Sequence, residues 1–331
     1  MNLTNCKIIA DNTNVIGNRL ITMELVYPRI IHAEIMSYCS FARNANSSRA
    51  MTPGSIVQQV RDEGFVPETW RRADVRGMVP KGYLSAENSA EAERIWREAM
   101  SDAMRHAKRL ADLSLARELT NRILEPFSWI KTLVTASWPF IANFLHQRMA
   151  REAQYEIRSL ANVVGNRIAA SKSVELDSGQ WHIPYSDGLD CDYQERLMVS
   201  VARCARISYA TPRSLEWGDK KRLEEDIKLA LRLQRDAHWS PFEHQALCWV
   251  PSEYRNDHSE AVPHKLRGKF EDGWVQYRKT ISGECFTDYN LKRFSNSSLK
   301  EREDNRTKVS WETLSTELGK LMAKEFGISL K

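Results

Sequence analysis

The patterning of this 331-residue chain predicts an α+β fold, and three observations carry that expectation. A period-2 stretch opens near residue 19, apolar stripes at three- and four-residue spacing run between about 88 and 168, and a further strand pattern begins near 241.

The first stretch, RLITMELVYPRIIHAEIM (19–36), alternates Ile21, Met23, Leu25 and Tyr27 with Thr22 and Glu24, the pattern of a half-buried strand. Pro28 should interrupt it or place it at an edge, because proline cannot donate to a ladder. SFARNANSSRAMTPGS follows, rich in short polar residues that bond their own backbone in turns.

Ala92, Ile95, Trp96, Ala99, Ala103, Ala107 and Leu110 then recur on one helical face. Leu113 to Leu124 predicts a second helix before Pro126. A third long helix is expected over 141–168, with the stripe Ile141, Leu145, Met149, Ala153, Ile157, Leu160 and Val164. Residues 171–193 hold no period and are expected to be a connector. Beyond them come helical LMVSVARCARISYA, a helix over about 219–236 and a strand at PFEHQALCWV. The polar tail after 291, FSNSSLKEREDNRTK included, is expected to be a mobile loop. The expected divisions are 1–170, 171–193, 194–290 and 291–331, within one integrated domain.

Composition narrows the function. With 42% hydrophobic and 27% charged residues the chain has an ordinary globular balance. A net charge of +5, both signs interspersed, suits small anions such as nucleotides better than a nucleic-acid polymer. Six scattered cysteines, none in a C-x-x-C pair, fit reduced thiols of a cytoplasmic protein and no metal site. MNLTNCKIIADNTN reads as no secretory leader. WIKTLVTASWPFIANFL is broken by Lys131 and Pro139, so no membrane association is expected. No two glycines stand two apart, which excludes G-x-G-x-x-G; GKFEDGW lacks the lysine of a P-loop; G-x-S-x-G and H-E-x-x-H are absent.

HWSPFEH (238–244) raises the question of a metal. If extended, His238 and His244 stand roughly 20 Å apart at about 3.3 Å per residue, too far for one ion. The ordinary alternative is a helix ending near Ala237 and a Ser-Pro turn feeding a strand. Arg148 lies about 100° round the helix from the apolar stripe, on a face with Glu152 and Tyr155. It is either a surface partner of Glu152 or a guanidinium facing a carbonyl or phosphate. Arg122 either caps a helix end or contacts a ligand. Arg49, after two serines, is a phosphate candidate, or belongs to an ordinary serine-rich turn.

Taken together, SVARCARISY, AHWSPFEH, NANSSRA, NRILEP and NFLHQRMAREAQYEIR resemble pieces of the flavin-dependent thymidylate synthases. That family's usual order is A-A-R-V-S-Y, H-x-[ST]-P-F-E-H, R-H-R-x-x-S-x-N-x-x-S-x-R, A-R-x-x-L-P and L-R-x-x-x-x-A-Q-x-E-I. Here the last three come first, at 37–49, 122–126 and 143–158, and the first two come last, at 201–209 and 238–244, so the chain resembles a circular permutant.

The resemblance implies a curved mixed or antiparallel sheet flanked by long helices. It makes 1–170 a nucleotide-binding half and 194–290 a flavin and folate wall. It implies a homotetramer with active sites between subunits, and conversion of dUMP to dTMP by methylenetetrahydrofolate and NADPH-reduced FAD. By matched position, Ser47, Arg49, Arg122 and Arg148 hold the nucleotide, Arg148 also polarising the ring. Asn44, Asn143, Ser208, Ser240 and Glu243 match flavin contacts. His238 matches the histidine beside the flavin ring, where the one-carbon unit is handled.

The chain departs from the pattern at the flavin side. Ser37, Tyr38 and Cys39 stand where the family has R-H-R, Ala42 replaces a serine and Glu152 a histidine. Two further readings therefore stay open. One is a flavin-free dUMP or dCMP hydroxymethylase, in which Cys39 either adds to ring C6 or is a buried inert thiol. The other is a non-catalytic nucleotide-binding or scaffold homologue.

Overall fold

Asparagine chemistry closes the first hairpin. β1 (Asn5–Asn14) and β2 (Arg19–Pro28) are joined by a turn in which Asn14 Oδ1 accepts from the backbone N–H groups of Ile16 and Asn18. Gly17 supplies the positive φ of 88° that a side chain would resist. Pro28 ends β2, as its missing N–H requires. The structure, a computed structural model, describes residues 3–73, 82–208, 220–250, 261–281 and 284. The polar tail expected after 291 lies outside the described residues.

The chain divides into two compact units. The first comprises Met1–Ile9, Thr22–Lys172 and Arg206–Pro212; the second comprises Ala10–Ile21, Ser173–Ala205 and Arg213–Lys331. Both long strands, β1 and β2, run from one unit into the other.

In the first unit, β2 leads through a 3-10 turn into α1 (His32–Met36), then β3 (Ala42–Ala45). α2 (Pro53–Glu63) begins under a Thr52 cap whose hydroxyl accepts the Ser55 N–H, with Pro53 in the first turn. α3 (Ala86–Asp112) is capped by Ser85. Its apolar stripe packs Met100 and Ala107 with Ile56, Val57 and Val60 of α2. The helix expected over 113–124 is instead a single turn, α4 (Arg117–Thr120), and a 3-10 stretch, Asn121–Phe127. Pro126 lies within that stretch and denies it an N–H donor.

β4 (Trp129–Ser137) pairs antiparallel with β3, Asn44 opposite Leu133. Pro139 sits in the first turn of α5 (Trp138–Arg148), which is where proline is tolerated. The single helix expected over 141–168 is two helices, α5 and α6 (Tyr155–Ala170). The carbonyl of Arg151 is drawn out of a helical ladder by Arg71 and Arg158, whose guanidiniums donate to it at 3.2 and 2.8 Å. Met149, expected on the buried stripe, is 45% exposed.

The chain re-enters the second unit at Ser173, where a connector was expected. That unit contains β5 (Val174–Leu176), parallel to β1, and β6 (Trp181–His182). α7 (Tyr193–Arg206) starts under Asp192, whose carboxylate accepts the Glu195 N–H, and α8 (Lys220–Arg235) follows. β7 (Ala246–Cys248) pairs antiparallel with β6 and with β8 (Trp274–Gln276), and α9 (His264–Arg267) lies between the last two in sequence. The strand expected over PFEHQALCWV is shorter, because Ser240–Glu243 is a 3-10 turn. Leu197, Val201, Ala230, Phe242, Leu247 and Val275 meet in its core.

The larger sheet has the order β3-β4-β2-β1-β5 and the smaller β6-β7-β8. The expected α+β class, with a mixed sheet and helices, is what the structure shows.

Candidate active site

α1 ends at Met36, and the three residues that follow are shaped by an arginine on β3. Arg43 Nη1 donates to the carbonyls of Ile35, Met36 and Tyr38 at 3.3, 2.6 and 3.2 Å. The loop is thereby fixed, and Tyr38 with it. Its ring stacks on Phe41 at 5.3 Å and meets Phe144 of α5 edge-on at 5.2 Å.

The Tyr38 hydroxyl accepts from Arg148 Nε at 2.7 Å and donates to Gln147 Oε1 at 3.0 Å. Arg148 Nη1 lies 2.9 Å from the Glu34 carboxylate. Gln147 in turn donates to Asn143 Oδ1 at 3.2 Å. Two donors of the Arg148 fork are thus held in place at the end of α5. The expected face of Arg148 with Glu152 and Tyr155 does not exist, because the helix breaks between them; the partner is Glu34. Ser37 is exposed and donates to the Glu34 carbonyl at 2.6 Å. Cys39, whose ordinary reading was a buried thiol, is exposed.

A second cluster follows β3. Ser47 accepts the Arg49 N–H on its hydroxyl at 3.3 Å and donates its own N–H to the Ser208 carbonyl at 3.2 Å. Arg49 reaches Glu118 at 3.2 Å, both side chains exposed. Arg122, in the 3-10 stretch and not at a helix end, donates to both oxygens of Glu125 at 3.0 and 3.1 Å. Ser48 and Arg29 converge on the same carboxylate, at 3.0 and 3.1 Å. Asn121 holds the serine turn by donating to the carbonyls of Ser48 and Met51.

Positive charge dominates around this carboxylate. Burial, and then the charges of Arg29 and Arg43, push His32 down to about 4, so it is neutral at pH 7. Its Nδ1 lies 3.0 Å from the Tyr27 hydroxyl, which burial raises to about 12. Asn44 is buried on β3, and Asn143 is exposed on α5.

The remaining expected residues belong to the second unit. His238 is exposed just beyond α8, its N–H donating to the Leu233 carbonyl at 2.8 Å. Ser240 is exposed. Glu243 is buried, with Lys269 Nζ at 2.9 Å from one oxygen and Arg278 on the other. His244 is fully buried, and its burial, with Lys269 and His182 nearby, pushes it down to about 3. Among the described residues no group of three His, Cys, Asp or Glu side chains is placed to hold a metal ion, and no helix is long and apolar enough to cross a membrane.

Four partners were not singled out by the sequence: Glu34, Gln147, Arg29 and Glu125. Gln147 stands next to Arg148 in NFLHQRMAREAQYEIR and Glu125 stands inside NRILEP, so the signal for those two lay in the quoted fragments themselves. Glu34 and Arg29 reach the site only through the fold.

Residues 18–170 match the family described as thymidylate synthase complementing protein. The match contains the fragments at 37–49, 122–126 and 143–158; those at 201–209 and 238–244 lie outside it. No curated protein matches the chain. Solved structures that resemble it include a UMP/dUMP methylase, PolB, from Streptomyces cacaoi. Bound with 5-Br UMP, that structure is 15% identical, covers 51% of this chain and 90% of its own, and has a TM-score of 0.44. Bound with 5-Br dUMP, it is 19% identical, covers 46% of this chain and 66% of its own, just under two thirds, and has a TM-score of 0.40. Residues 18–170 are thus similar to the thymidylate synthase complementing protein family, in agreement with the resemblance carried by the motifs at 37–49, 122–126 and 143–158.

Proposed function

We propose that this protein is a methyltransferase-type enzyme that adds a one-carbon unit to C5 of a pyrimidine nucleotide, dUMP or dCMP. The family match over residues 18–170 supports the coarse reaction class. The observation that carries the proposal is Arg148, whose guanidinium is pre-oriented by Tyr38 and Glu34. Such a donor, fixed before the substrate arrives, stabilises charge developing on a base carbonyl without having to reorganise. Ser47, Arg49 and Arg122 are assigned to the nucleotide.

The resemblance supplies the co-reactants of this reading: methylenetetrahydrofolate as donor, with FAD recharged by NADPH where the product is dTMP. It also supplies a permuted chain order, a homotetramer, and a role for His238 in handling the one-carbon unit. Asn44, Asn143, Ser208, Ser240 and Glu243 are the assigned flavin contacts. The residues at 37–39 do not fit a flavin dinucleotide held as R-H-R would hold it. None is cationic, Tyr38 is committed to Phe41, Phe144 and Arg148, and Glu34 adds a negative charge beside Arg148. Glu243 is already neutralised by Lys269 and Arg278.

This misfit favours hydroxymethyl transfer, a route in which flavin takes no part. In that route C5 bonds to the folate methylene, the folate C–N bond breaks, the C5 proton leaves and water supplies the hydroxyl. No electrons are exchanged. Cys39, being exposed, is the candidate for transient addition to ring C6.

Incubating the protein with each nucleotide and methylenetetrahydrofolate, with and without FAD and NADPH, decides between products by mass. A hydroxymethyl nucleotide without flavin supports the favoured route. A methyl product requiring FAD restores the reductive one. No product, and no binding of either nucleotide, sinks the enzymatic reading in favour of a scaffold.

A further inference from the structure

One carboxylate oxygen at the nucleotide cluster carries an unusual load. Glu125 Oε1 receives Ser48 Oγ at 3.0 Å, Arg122 Nη1 at 3.0 Å and Arg29 Nη2 at 3.1 Å. Two guanidiniums and a hydroxyl converging on one oxygen are the donor set of a phosphate subsite, here filled by a side chain. The cradle is built from the fold. Arg29 is mostly buried where β2 ends, Asn121 fixes the Ser48 turn, and Glu125 itself is held by the 3-10 stretch. In the family pattern A-R-x-x-L-P the residue before the proline is leucine, which brings no charge; in NRILEP it is Glu125.

We propose that Glu125 is a specificity-determining residue of the nucleotide site, a built-in anion that satisfies Arg29, Arg122 and Ser48, so that the substrate's phosphate adds little to binding and the free nucleoside is accepted nearly as well. The inference rests on the nucleotide reading above. A phosphate reaching Arg122 must first displace the carboxylate, exchanging one anion for another. The net gain is therefore smaller than two unpaired guanidiniums would provide. Base and sugar contacts, Arg148 among them, then dominate recognition.

The test is calorimetric titration of the full chain with deoxyuridine, dUMP and inorganic phosphate, in the wild type and in Glu125→Gln. The wild type should bind dUMP no more than about tenfold more tightly than deoxyuridine. In E125Q the carboxylate charge is gone. That preference should then widen by about tenfold or more, with phosphate alone competing more strongly. If E125Q fails to fold, Glu125→Leu, the residue of the family pattern, makes the same prediction, and the wild-type ratio stands as a test by itself. A wild-type preference for dUMP well above a hundredfold overturns the proposal. So does a variant in which the preference is unchanged or narrows, while deoxyuridine binding shows that the nucleotide reading survives. If neither deoxyuridine nor dUMP binds the wild type, both readings fall.

Discussion

The Tyr38 hydroxyl stands 2.7 Å from Arg148 Nε, joining the residue that replaces the centre of R-H-R to the arginine assigned to the base. The departure from the family pattern and the retained arginine are therefore one structure. Removing only that hydroxyl, in Tyr38→Phe, leaves the ring against Phe41 and Phe144 and frees one guanidinium donor. A charge-assisted hydrogen bond contributes about 1.5 kcal/mol at its lower end, as suits a half-exposed arginine, so dUMP affinity should fall roughly tenfold. The melting temperature should hold. Calorimetry beside thermal denaturation checks both, and an unchanged affinity would detach Tyr38 from recognition.

Arg203 and Asp226 in the second unit are 2% and 0% exposed at the side chain and meet at 3.4 Å, with Arg203 also donating to the Tyr185 carbonyl. Breaking a buried pair strands a charge, which costs about 3–5 kcal/mol. Asp226→Ala should lower the urea midpoint accordingly.

Three histidines set an acid limit on stability. Burial first, with Lys269 and His182 adding to it, holds His244 at about 3; burial holds His182 at about 3 and His32 at about 4. Unfolded, each takes up a proton near pH 6.5, while the folded protein does not. The stability they confer is thus complete above pH 6.5 and is lost as pH falls toward their folded values. Each contributes a slope of up to about 1.4 kcal/mol per pH unit. Urea midpoints measured between pH 7 and pH 5 should fall, and His244→Gln should flatten the slope.

Gly268, the first glycine of the P-loop look-alike GKFEDGW, ends α9 with φ 61° and ψ −108°. A Cβ there would stand 2.0 Å from Gln276 Oε1, on a side chain that donates to the Glu243 carbonyl. Gly268→Ala should destabilise by at least about 1–3 kcal/mol, read from the urea midpoint. A neutral outcome would show that the backbone relaxes freely.

By itself the sequence determined what depends on local order. The period of β2, the stripes of α3 and α7, the stop at Pro28 and the placing of Ser47, Arg49, Arg122 and Arg148 in a family pattern were all legible from neighbours in the chain. Tertiary structure decided what depends on partners distant in sequence. The 141–168 stripe is helical throughout by period, yet Arg71 and Arg158 draw off the Arg151 carbonyl and split it in two. Arg148 was spaced to meet Glu152 on one helix face, but that break turns it to Glu34 and Tyr38, more than a hundred residues away. Residues 171–193 showed no period because β5 and β6 are short strands fixed by pairing, not by an alternating pattern of their own. Periodicity records which face a segment buries; it carries no record of which distant side chain will claim a carbonyl or a guanidinium.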